Sequence, residues 1–162
     1  MRSHKIAALL GALAIAAPAS GQLRPSPLGE IYESYNDCFK VATKDGIKPD
    51  ELKPLGWVRA TASSKDDKKI DDAPIIYGHG KRAPTIMLSA EKGGGLCIVM
   101  ARLESTASFD ELTKAWGGKL PAPDKDGAIS FSAEGHIVQL RRTGSAREPS
   151  LSIVVMTPME GE

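Results

Sequence analysis

The chain predicts an α+β fold: a two-layer domain with a mainly antiparallel sheet of about six or seven strands. A long N-terminal helix and a short second helix pack on one face. Three observations carry this reading. Leu28, Ile31, Tyr32, Tyr35, Cys38, Phe39 and Ala42 recur at helical spacing on one stripe. Several short apolar or alternating runs follow, and their short connections favour antiparallel neighbours. Leu96–Ala101 is apolar on both side-chain parities, the mark of a central strand covered on both faces.

The first segment is read as a leader. Met1–Lys5 is short and basic, Ile6–Ala16 is apolar, and Ala17-Pro18-Ala19 has the small-x-small pattern of a signal-peptidase site. Residues 1–19 are therefore expected to be a signal peptide, with cleavage uncertain by two residues. Residues 20–27 form a flexible lead-in, and 28–157 form a single globular domain. The apolar run is too short to span a bilayer comfortably, and no second long one follows. Removing Arg2 and Lys5 lowers the 21 basic residues to 19 against 20 acidic, a net charge of −1. That balance gives no steering toward nucleic acid or membrane. A compact Ala-rich leader points to a bacterial envelope protein, periplasmic or secreted.

Export sets the reading of the two cysteines. In an oxidising compartment an isolated pair is a structural disulfide, so Cys38 on the helix stripe is expected to bond Cys97 in the central strand. No Cys-x-x-Cys motif is present to suggest redox work.

The elements follow in order. The stripe predicts a helix from Leu28 to Ala42 with Gly46 as its cap, lying over the centre of the sheet. Pro49–Leu52 opens a helical turn that Pro54 and Gly56 stop. Trp57–Thr61 is a strand, and Ser63–Asp72 is a mixed-charge solvated loop. Ile75–Tyr77 and Thr85–Leu88 are strands, and Glu91–Gly95 turns into the central one. Ser108 and Glu111 have the spacing of a capping box for the second helix, which Gly117-Gly118 ends. Ile129–Ala133, His136–Arg141 and Leu151–Met156 complete the strands, with a hairpin turn at Glu134-Gly135. Pro158–Glu162 is expected to fray. Asp-Glu-Leu recurs at 50–52 and 110–112, each ahead of a tryptophan, but little else matches, which leaves a duplication unproven.

Motif tests exclude more than they assign. Gly78-His79-Gly80-Lys81-Arg82-Ala83 has the glycine spacing of a dinucleotide fingerprint, but a strand pattern follows where that site needs a helix. A calcium loop aligned on Gly127 has alanine at both essential carboxylate positions, 122 and 133. With both cysteines oxidised, His79 and His136 leave too few ligands for zinc. No metal, cofactor or catalytic residue is assigned.

Two basic groups remain as candidate anion- or partner-binding residues: His79, Lys81 and Arg82 on the glycine-flanked loop, and Arg141 and Arg142 in the penultimate strand. Arg147 follows nearby. The plain alternatives are a solvated hairpin tip and charged protection of a sheet edge. The first function expected is a non-catalytic exported domain that binds an envelope protein or a small anionic ligand. The second is an inhibitor of a secreted hydrolase acting through loop 78–83. The third is an enzyme using His79 or His136 as a base.

Overall fold

A computed structural model describes residues 24–60, 75–91 and 94–158. The segment 1–23, which includes the expected signal peptide, the loop 63–72 and the end of the chain from 159 lie outside the described residues, as do Thr61 and Gly93.

Helix α1 spans Leu28–Val41 and buries Ile31, Tyr35 and Cys38 of the expected stripe, together with Val41, whereas Leu28, Tyr32 and Phe39 of that stripe are only partly buried. It stops at Val41, one residue before the expected end. Gly46 is not its cap, because Ala42–Thr43 (β1) pairs with Gly46–Ile47 (β2) in a small antiparallel ladder. The turn opened by Pro49 is a 3-10 helix, Pro49–Leu55, with Leu52 buried. Then come β3 (Trp57–Arg59), β4 (Ile75–His79), β5 (Thr85–Glu91) and β6 (Gly94–Arg102). Helix α2 (Ala107–Lys114) precedes β7 (Ala128–Ala133), β8 (His136–Gly144) and β9 (Pro149–Met156).

These seven strands form one antiparallel sheet in the order β3-β4-β5-β6-β9-β8-β7. The last strand inserts beside the central one, so β6 pairs with β9 from Leu96↔Met156 to Arg102↔Ser150. One parity of every strand faces the helices. Tyr77, Ile86, Val99, Ile153 and Leu140 make a continuous row across five strands, and all are buried. Above them lie Ile31, Cys38, Val41, Leu52, Phe109 and Leu112 from the helical layer. The Cys38–Cys97 disulfide is formed, with the two Cα atoms 5.5 Å apart. It anchors α1 over the middle of the sheet.

Two further sequence expectations are corrected. Cys97, Val99 and Ala101 of β6 are buried, but Leu96, Ile98 and Met100 are only partly so. The central strand is therefore not covered on both faces, because all helices of the described residues lie on one side. The capping box does not form either. Helix α2 begins at Ala107, and the residue before it makes no side-chain cap. Ser108 sits inside the helix, where its hydroxyl accepts from the Ser105 N–H at 3.3 Å.

Candidate functional site

The loop after β4 returns to α1. Arg82 Nη1 donates to Asp37 Oδ2 at 2.6 Å, and its Nε lies 2.9 Å from Glu33 Oε2. Asp37 is 5% exposed. The same oxygen accepts from Trp57 Nε1–H at 3.0 Å, and its other oxygen lies 3.5 Å from Lys40 Nζ. The Ala83 N–H donates to Glu30 Oε2 at 2.7 Å. His79 Nδ1 accepts from the Lys81 and Arg82 N–H groups at 3.1 and 3.2 Å. That leaves Nε2–H to donate to the Leu55 carbonyl at 3.0 Å. The N–H groups that resembled an anion cradle in the sequence thus meet internal acceptors, and Arg82 is engaged by two carboxylates.

The second basic group is divided by strand geometry. Successive side chains of a strand point to opposite faces. Arg142 follows the parity of Val138 and Leu140 and faces the helical layer, whereas Arg141 faces the other side. The two candidate groups also stand apart. Four strand spacings separate β4 from β8, about 19 Å at the usual inter-strand distance. The fold does not bring the two groups together.

Arg142 has a built environment. Its guanidinium lies over the Phe109 ring, 4.4 Å from the centroid. Its Nη1 donates to the Thr106 carbonyl at 3.3 Å and its Nη2 to Asp110 in the first turn of α2. Beside it opens a cleft of about 560 Å³ whose apolar lining includes Phe109, Leu120 and Ile129, with Lys114, Asp126 and Arg142 also on its walls. A smaller hollow of about 250 Å³ also borders Phe109 and Arg142. The segment between α2 and β7 walls the cleft through Gly118, Leu120, Pro121, Pro123, Asp126 and Gly127. Asp124 Oδ1 shapes that segment by accepting from the Asp126 and Ala128 N–H groups at 2.8 and 2.9 Å. Its carboxylate is therefore occupied by backbone, in keeping with a polar turn.

A cluster of aromatic rings lies between α1 and the β7 edge. Trp116 stacks with Tyr32 at 5.0 Å and meets Tyr35 and Phe131, each at 5.8 Å. Tyr35 also meets Phe39 at 4.9 Å. Burial and the nearby Glu134 carboxylate push the Tyr35 hydroxyl up to about 12. The sequence reading missed this cluster. The aromatics are few and scattered from 32 to 131, and only the placement of α2's end beside α1 assembles them. His136 borders the cluster, its ring 5.0 Å from Phe39. Its two nitrogens face the carbonyl oxygens of Glu134 and Ala42.

Among the described residues, no group of three or more His, Cys, Asp and Glu is placed to hold a metal. None of their helices is long and apolar enough to cross a membrane. Comparison with family models, curated proteins and solved structures finds no match. The functional reading therefore stands on this geometry.

Proposed function

We propose that the chain is a non-catalytic binding protein of the bacterial envelope, and that it takes its ligand in the cleft beside α2. The cleft carries the reading. At about 560 Å³ it falls within the range of small-molecule sites, which combine an apolar lining with a few placed polar groups. Phe109, Leu120 and Ile129 suit an apolar body. Arg142 and Lys114 suit an acidic group, which would compete with Asp110 for the guanidinium. A protein side chain of the same chemistry fits equally.

Two further observations support the reading. The ring nitrogens of His79 and His136 are turned to backbone groups, which favours a structural role for both histidines over that of a base. The disulfide accords with an oxidising compartment and with the leader.

The test is a pull-down of the tagged exported chain from its native envelope extract, with mass spectrometry of bound proteins and small molecules. The double variant Arg142→Glu, Lys114→Glu is run beside it. A protein or small acid recovered with the wild-type chain and lost with the variant is expected. Recovery of nothing, or equal recovery by both chains, overturns the reading.

A further inference from the structure

The sheet has a second face, remote from the cleft, that no helix of the described residues covers. Its centre is apolar where a solvated face would alternate to polar. Ile76, Met87, Ile98 and Val154 stand opposite one another across four neighbouring strands. Leu96 and Met156 pair beside that row. Ile76 is 42% exposed, and Val58 and Ile137 toward the two flanks are 70% and 42% exposed. The row is not a scatter of single exposed hydrophobes, which any surface shows, but a contiguous patch of the kind that marks an interaction site.

We infer that this face is covered by the same face of a second copy of the chain. Size is the first argument. Seven strands at about 4.8 Å spacing, each about seven residues long, span roughly 29 by 23 Å, or roughly 650 Å² in projection and more as accessible surface. A standard protein interface buries about 800 Å² on each partner. The face is thus large enough for a stable dimer, and two sheets so packed lie about 10 Å apart, like the halves of a β-sandwich.

Charge is the second argument. Arg141 is exposed and follows the outward parity of β8, and it stands at the end of the sheet where Met100 pairs with Ser152 and Ser152 with Arg141. A two-fold axis lying in the interface and running across the strands sets the arginine end of one copy over the opposite end of the other. The cations of the two copies are then kept apart, while the central apolar rows meet. Such an isologous contact closes on itself and leaves no growing edge. It also leaves the helical layer, with the cleft, facing outward on both copies.

Sedimentation equilibrium of the disulfide-bonded chain, expressed with its own leader, tests this from nanomolar to high micromolar concentration. Peroxide footprinting of Met87, Met100 and Met156 runs in parallel. The wild-type chain is expected to dimerise, and oxidation of the three methionines to slow as the dimer fills. Met87→Lys and Ile98→Lys, each verified as folded by circular dichroism and by the absence of free thiols, are expected to weaken association about tenfold or more, because each puts a charge in the desolvated centre. Ile76→Lys, nearer the sheet edge, gives a milder variant that retains the fold should the central ones not. A chain that stays monomeric throughout overturns the inference, including one whose methionines are shielded by uncleaved residues 1–23 or only on adding lipid vesicles. A dimer indifferent to all three substitutions overturns it as well.

Discussion

Asp37 is a carboxylate in the core layer. It survives there because Arg82, Trp57 and Lys40 converge on its two oxygens. Burying an ion pair costs desolvation, so the pair need not stabilise the fold relative to an apolar substitute, but losing one partner strands the other. The Arg82 side chain is only 19% exposed. Asp37→Ala is therefore expected to cost about 3 kcal/mol, read as a fall in the urea midpoint with an unchanged slope. Asp37→Asn keeps a hydrogen-bond acceptor for Trp57 and is expected to cost less. The helical stripe was legible in the sequence, but this residue's role was not. In a list of letters Asp37 is one more polar position in a helix, and only the return of the β4–β5 loop places a guanidinium against it. The same limit applied to Arg141 and Arg142. Neighbours in the sequence, they act on opposite faces because a strand alternates.

The joints between elements depend on close approach as much as on propensity. Gly95 lies where the β1–β2 ladder passes over the start of β6. A Cβ there would stand 2.3 Å from Ile47 Cγ1 and 2.8 Å from the Ser89 carbonyl oxygen. The side chain of Ile47 can move, but the β5 backbone cannot without breaking its ladder with β6. Gly95→Ala is expected to destabilise by about 1–3 kcal/mol, and Ile47→Ala in the same chain to restore only part of that in thermal unfolding. Gly144 closes the β8–β9 connection at φ +77°, with the Glu148 carbonyl 2.2 Å from the site of a Cβ, so only glycine fits. The sequence marked the turn before β6 by its glycines. It could not show that one of them makes room for another element. The expected capping box failed for a related reason. Ser108 and Glu111 have the right spacing, but Leu103 and Phe109 are both buried, and α2 starts early enough to put Ser108 inside its first turn.

For the molecule as a whole, the disulfide joins the two layers across 59 residues of chain. Closing a loop of that length restricts the unfolded ensemble by about 4 kcal/mol in the chain-entropy model. Set against a usual total of about 5–15 kcal/mol, that is a large share. Reduction, or the pair Cys38→Ser and Cys97→Ser, is expected to lower the melting temperature by on the order of 10 °C. Denatured but unreduced chain is expected to titrate no thiols. A fall of only a degree or two would mean that the sheet and its helices hold together without the link.

Much of this architecture was determined by local pattern. The α1 stripe, the strand runs, the β7–β8 hairpin and the cysteine pairing are readable because periodicity acts on neighbouring residues and because each cysteine has only the other to pair with. What tertiary structure alone decided is which residues meet. The insertion of β9 beside β6, the gathering of Tyr32, Tyr35 and Phe131 around Trp116, the cleft under Arg142 and the apolar row on the outward face of the sheet all depend on strand order. Strand order is set by contacts between residues far apart in the chain, and short-range spacing does not encode them.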